Sequence, residues 1–181
     1  MDDKWEFLQN EFLSLSVFAG LQRSIIYLPN ISEEQRVKFR EHLRKQLLEM
    51  SIEYYQPVNE SQHEDNIVRL AKNISKQFEI ILADGHLRIG NAQKLLNLFL
   101  KYLWCVGKIP IPPHCPFDRE IIEMLPADVR MNWTQIDTIE DYRKLVFAAR
   151  EKAKTESLAE WELRNYPSNL AISKDNQKDT N

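Results

Sequence analysis

Apolar positions along this chain recur at intervals of three and four and nowhere alternate over a useful length. That period belongs to helices, so an all-α single domain of about six or seven helices is expected, with no strand and no internal repeat. Trp5, Leu8, Phe12 and Leu15 mark one face of a first helix within residues 3–28, with Gly20 as a break and Pro29 as the end. Ser32 and Gln35 form a capping box. The second helix follows with the stripe Phe39, Leu43, Leu47, Met50 and Tyr54, a Glu41–Lys45 pair on another face, and a stop at Pro57. Ser61 and Glu64 suggest a second capping box. The third helix then turns Ile67, Leu70, Ala71, Ile74, Phe78, Ile81 and Leu82 inward and closes at Asp84 and Gly85. His42 and His63 fall among charged residues and read as solvated.

The next helix is different. Between Asn91, a good N-cap, and Gly107, a good C′ residue, residues 92–106 are apolar nearly all round, as in a helix buried at the centre of a domain. Its polarity lies on one stripe, Lys94, Asn97 and Lys101, spaced three and four apart. Gly90 or Asn91 extends the stripe upstream, and Lys108 extends it downstream if the helix persists. Two lysines here either snorkel to solvent along the exposed stripe or line a cleft. Four prolines then fall in seven residues (Pro110, Pro112, Pro113, Pro116), a stiff connector. It leads to Asp118, the N-cap of a short helix through Met124. Residues 131–136 read as a loop with Trp133 packed. Thr138 with Asp141 caps a helix with inner face Ile139, Tyr142, Val146 and Ala149, and Ser157 with Glu160 caps a last one. The expected domain spans 1–167, followed by a disordered tail over 168–181.

Charge sharpens this picture. The net charge is -3, yet residues 85–117 hold no Asp or Glu in a chain with 27 acids. Arg88, Lys94, Lys101 and Lys108 fall in that segment, with His86 and His114. Without those four cations, 20 Lys and Arg face 27 acids. A general nucleic-acid coat is excluded, and only this segment would attract phosphate. Two cysteines, no signal peptide and no membrane-length apolar run place the chain in the cytoplasm with reduced thiols and without a membrane partner. Cys105, His114, Cys115 and His86 lack the paired spacing of a zinc site, so neither metal nor cofactor is expected. No phosphate-binding loop and no serine elbow is present.

A lysine in an apolar cleft can act as a neutral amine nucleophile, and a nearby carboxylate can assist it. Lys94 or Lys101 with Asp118 is the pair that fits. The order of glycine turn, helix with an early Lys, connector, and Pro116-Phe117-Asp118 opening another helix resembles the core of the helix-hairpin-helix DNA glycosylases. The likeness covers residues 85–121. Among these enzymes it looks closest to the archaeal 8-oxoguanine type, where the helix after the Lys is also markedly apolar. The resemblance implies DNA-lesion recognition or base excision, with Lys94 as nucleophile, Lys101 as the substitute and Asp118 as acid/base partner. It places phosphate contacts in the turn from Leu87 to Asn91. Arg88, Gly90, Asn91, Asn97, Lys108 and His114 would then form the DNA surface of the basic segment. The rival expectation is a non-enzymatic helical adaptor that binds protein partners through acidic outer faces.

Overall fold

The computed structural model describes residues 2–166, so the tail expected over 168–181 lies outside the described residues. Seven α-helices follow in order: α1 (Asp3–Leu21), α2 (Glu33–Ser51), α3 (Glu60–Phe78), α4 (Ile89–Cys105), α5 (Arg119–Glu123), α6 (Ile139–Ala153) and α7 (Leu158–Asn165). Short 3-10 turns occupy Ile52–Tyr55, Ala127–Val129 and Trp133–Gln135. The fold is all-α: among the described residues the only β-type pairing is an isolated bridge between Tyr27 and Leu82. No described helix is long and apolar enough to cross a membrane.

The expected central helix is α4, and every residue from Ile89 to Asn97 is buried. Helices α1, α2, α3 and α6 all pack against it. Two glycines permit the closest approaches. Gly20 lies in α1 against α4, where a Cβ would sit 2.6 Å from Leu95 Cγ and Cδ2. Gly90 lies under the Trp133–Gln135 turn, where a Cβ would sit 1.7 Å from the Trp133 carbonyl oxygen. The helix ends as expected at Gly107, whose N–H donates to Trp104 O at positive φ.

Several boundaries differ from the sequence reading, each for a local reason. Helix α4 begins at Ile89 without a side-chain cap, because Asn91 is spent elsewhere: its Nδ2 donates to Gly20 O and Ser24 Oγ. The N-cap of α3 is Asn59, whose side chain accepts from Gln62 N–H, so Ser61 already lies in the first turn. Phe78 ends that helix, and residues 79–85 fold as turns. In α1 the buried face is Leu13, Ser16, Val17 and Gly20, while Leu8 and Leu15 are exposed. Small residues let α1 lie close on α4, and the large ones are displaced to the rim. Gly20 therefore belongs to the packing face and does not break the helix. Glu41 is unpaired with Lys45, which reaches Glu49 instead. The capping boxes at Ser32 and Ser157 and the caps at Thr138 and Asp118 form as predicted.

Candidate functional site

Lys94 lies in the second turn of α4, and Asp118 opens α5 at the end of the proline connector. Their side chains are 8% and 18% exposed, with Lys94 Nζ 3.7 Å from Asp118 Oδ2. That separation is an ion-pair distance but too long for a hydrogen bond. Asp118 divides its labour: Oδ1 caps α5 by accepting from the Glu120 and Ile121 N–H groups, and Oδ2 is left for Lys94. Trp133 supplies the third side, its ring centroid 4.3 Å from Nζ. Burial lowers the Lys94 pKa below the ordinary lysine value. Asp118 pulls it back up, and the Arg23 guanidinium pushes it further down. Of the two sequence alternatives for the lysine stripe, the structure realises the cleft. Lys94 and Lys101 both line a cavity of about 250 Å³ with Gln22, Tyr102, Asp118 and Tyr166.

Lys101 plays a different part. Its ammonium is 2.8 Å from Glu162 Oε1 and 2.7 Å from Oε2, and the Tyr166 ring centroid lies 4.8 Å from Nζ. Glu162 is 2% exposed, so this is a buried pair tying α4 to α7. Burial raises the Glu162 pKa, and Lys101 opposes the rise. Lys101 is thus committed to a carboxylate it cannot leave without stranding it, which leaves Lys94 as the amine open to a substrate.

Behind Lys94 runs a buried polar network. Gln93 clasps the connector: its Nε2 donates to Phe117 O at 2.7 Å, and its Oε1 accepts from Phe117 N at 3.1 Å. Asn97 Nδ2 reaches Cys115 O, Gln93 Oε1 and Tyr142 Oη. Asn66 donates to Tyr54 Oη, so the Tyr54 hydroxyl donates to His63 Nδ1. His63 then carries its proton on Nε2 and donates to Asn97 Oδ1 at 2.8 Å. Tyr142 Oη, which accepts from Asn97 Nδ2, lies 2.8 Å from His114 Nδ1, and His114 Nε2 is buried without a hydrogen-bond partner among the described residues. Burial pushes the His63 pKa down to about 4 and that of His114 well below its usual range. His63 is therefore a core residue, not a solvated one.

This arrangement separates the expected site residues. Lys94, Lys101 and Asp118 meet at one cavity. Asn97 and His114 are fully buried and face the network behind it, closed to a ligand at the surface. Gly90 is buried with its N–H donating to Ile136 O, and Asn91 is held by Gly20 and Ser24. Leu87 N–H donates to Ser75 Oγ and Asn91 N–H to Arg88 O. The amides of the Leu87–Asn91 turn that would cradle a phosphate are thus largely engaged within the protein. Arg88 pairs with Asp84 and donates to Thr134 O. Lys108 lies past the end of α4 with its Nζ 4.5 Å from the Trp5 ring centroid. Helix α4 runs on for about 16 Å from Lys94 to its end at Cys105, at about 1.5 Å per residue, and Lys108 does not line the Lys94 cavity.

No protein-family model, curated protein or solved structure matches this chain. Among the described residues no group of three or more His, Cys, Asp and Glu is placed to hold a metal ion. Cys105 is exposed and Cys115 buried, both as free thiols. Several functional side chains escaped the sequence reading. Gln93, Glu162 and Tyr166 complete the site, and only Gln93, next to Lys94, carried a positional hint. Arg23, Arg119 and Arg130, outside the basic segment, line a neighbouring cavity with Trp133.

Proposed function

We propose that the chain acts on nucleic acid at damaged or abasic nucleosides, with Lys94 as an amine nucleophile and Asp118 as its carboxylate partner. The observation that carries this reading is the Lys94–Asp118 pair itself, 3.7 Å apart and mostly buried at a small cavity. Desolvation favours the neutral amine, which is the form that attacks carbon. In the step proposed, Nζ bonds to the sugar C1′ as the glycosidic bond breaks. The base departs with the bonding pair and gains a proton, and the amine nitrogen loses one. Ring opening then gives a Schiff base. At an abasic sugar the amine condenses with the aldehyde and water leaves. Asp118 Oδ2 would offset positive charge developing at C1′ and receive the ammonium proton. A cavity of about 250 Å³ is far too small for a duplex, so the reacting nucleoside must be extruded from the stack. The resemblance of residues 85–121 to helix-hairpin-helix glycosylases supports the same assignment of roles.

Borohydride trapping tests it. The protein is incubated with duplex and single-stranded oligonucleotides carrying abasic sites or 8-oxoguanine, then reduced. A covalent adduct that disappears in Lys94→Gln is expected. No adduct from the wild-type protein, or an undiminished one from Lys94→Gln, overturns the nucleophile.

The rival reading, a helical adaptor, has its own observation. Val17, Phe18, Leu21 and Val37 line a groove of about 610 Å³ between α1 and α2, and Phe18 is 68% exposed. This surface is mainly apolar, with Arg40, Glu41 and Arg44 in its wall, unlike the acidic faces expected, and an interface there would depend on salt far less steeply. Nucleic-acid binding weakens steeply with salt, so one titration separates the two.

A further inference from the structure

Apart from the push of Arg23 on the Lys94 pKa, the arginines beside the lysine site have no part in the chemistry above. Arg23, Arg119 and Arg130 line a cavity of about 520 Å³ whose wall includes Trp133, the same residue whose ring carries Lys94 on its face. A second cavity, about 390 Å³, shares Arg23, Asn132 and Thr134 with the first and adds Arg88. The two cavities adjoin at Arg23, Asn132 and Thr134. Acids are few along them. Glu123 pairs with Arg119, and Asp84 pairs with Arg88.

The arginines retain free donors. Arg23 is exposed and makes no hydrogen bond or ion pair among the described residues. Its backbone sits at φ 64, a left-handed conformation rare outside glycine. Arg130 uses only Nε, on Leu125 O, which leaves its terminal nitrogens open. Arg119 spends Nε on Glu123, an exposed and readily exchanged partner. Guanidinium forks match phosphate oxygens in a bidentate geometry. Several forks spread along two joined cavities suit a ligand with successive phosphates better than a single anion.

We infer that Arg23, Arg119 and Arg130 bind the sugar–phosphate backbone of a nucleic-acid strand, laying it alongside Trp133 next to the Lys94 cavity. This rests on the nucleic-acid reading above for the kind of ligand. It also relocates the phosphate contact from the Leu87–Asn91 turn, whose amides are largely engaged, to side chains the basic segment does not contain.

Fluorescence anisotropy with undamaged single-stranded and duplex oligonucleotides over a salt series tests it. The variants are Arg23→Ala, Arg130→Ala and the double substitution. Lys38→Ala, on the outer face of α2, is the control. All three cleft positions are exposed, so the variants should stay folded: Arg23→Ala should keep the wild-type melting temperature, and Arg130→Ala, which loses its bond to Leu125 O, should melt only slightly lower. The plot of log affinity against log salt is expected to become shallower by about 0.7–0.9 per arginine removed, and by roughly 1.5 in the double variant. Lys38→Ala should keep the wild-type slope. Double-variant slopes equal to wild type, or a wild-type protein that binds neither strand at low salt, overturn the inference. Pyrophosphate that displaces the oligonucleotide at concentrations matching the strand's own affinity points to a small phosphate ligand and overturns the strand. Trapping through Lys94 with unchanged slopes sinks the cleft and keeps the lysine reading. Arginine-dependent slopes without trapping keep the cleft and sink the lysine.

Discussion

Gln93 grips Phe117 by both backbone groups, donating to its carbonyl at 2.7 Å and accepting from its N–H at 3.1 Å. The residues next in sequence to this clasp are Lys94 and Asp118. One side-chain amide thus sets how far the amine stands from the carboxylate, because each partner has one residue of slack. Gln93→Leu removes the clasp and orphans two buried backbone groups. Orphaned groups of this kind cost about 1–3 kcal/mol each, so stability should fall by about 2–6 kcal/mol in a urea titration. The same variant should lose most of its trapped adduct under conditions where it remains folded. A stable, fully active Gln93→Leu would show that the connector is positioned by its prolines alone.

Lys94 should react with aldehydes at a lower pH than other lysines. Burial is the main cause of its lowered pKa, and Asp118 is the main force opposing it. Labelling with pyridoxal phosphate and borohydride across a pH series, read by peptide mapping, gives the midpoint for each lysine. That of Lys94 should fall below the ordinary value of about 10.4. Asp118→Asn removes the opposing charge while keeping an oxygen to cap α5, so the midpoint should fall further. A Lys94 midpoint at the ordinary value, or one that rises in Asp118→Asn, would contradict this electrostatic account.

Acid should weaken the fold through its buried histidines. His63 is held neutral in the native state, its pKa brought to about 4 by burial against a weaker contribution from Asn97. In the unfolded chain it titrates near 6.5. Between those values the unfolded state binds the extra proton, so stability is full above pH 6.5 and drains away as pH falls toward 4. His63 alone accounts for about 3 kcal/mol over that window. His114 acts in the same direction, with burial its chief cause and His63 and Arg150 adding to it. Denaturation midpoints of the wild type and His63→Gln at several pH values isolate the contribution, since carboxylates titrate in both. The difference between them should shrink as pH falls, and a difference independent of pH would refute the neutral histidine.

Helix existence was legible because the stripes of α2 and α3 run unbroken and because Ser32, Asp118, Thr138 and Ser157 cap as their chemistry demands. That a lysine of the central stripe meets Asp118 was legible too, but the sequence left Lys94 and Lys101 as alternatives, and the ion pair forms with Lys94. The facing of α1 was not. Large apolar side chains outvoted Ser16 and Gly20, although close helix packing selects the small residues. His63 was misjudged from its charged neighbours along the chain. Counted in helix periods it stands four before Ile67 and seven before Leu70, squarely on the buried stripe. The resemblance puts Gly90 and Asn91 in a phosphate-contacting turn, yet the turn at Trp133–Gln135 covers Gly90, a contact between residues more than forty positions apart in sequence, and Asn91 is held by Gly20 and Ser24. The arginine cleft left no linear trace, since Arg23, Arg119 and Arg130 come from three separate segments.

The Lys101–Glu162 pair should matter for stability and little for chemistry. Glu162 is 2% exposed and Lys101 13%. Lys101→Met strands a carboxylate with no route to water, a loss of about 3–5 kcal/mol for buried pairs broken on one side. Glu162→Gln strands a lysine whose long stem can carry its charge outward, so its cost should be smaller. Replacing both, as Lys101→Met with Glu162→Leu, should recover much of the loss, because the burial of two charges is removed together with their attraction. The sign of the pH effect separates this account from simple packing. Burial already raises the Glu162 pKa above 4.5, and Lys101 restrains it. Without Lys101 it rises further, so the native Lys101→Met protein takes up a proton the unfolded chain releases. The deficit of that variant against wild type should therefore narrow as pH falls toward 4.5, measured by chemical denaturation at matched ionic strength. A deficit that stays constant would mean the lysine stem, and not its charge, holds α7 against α4.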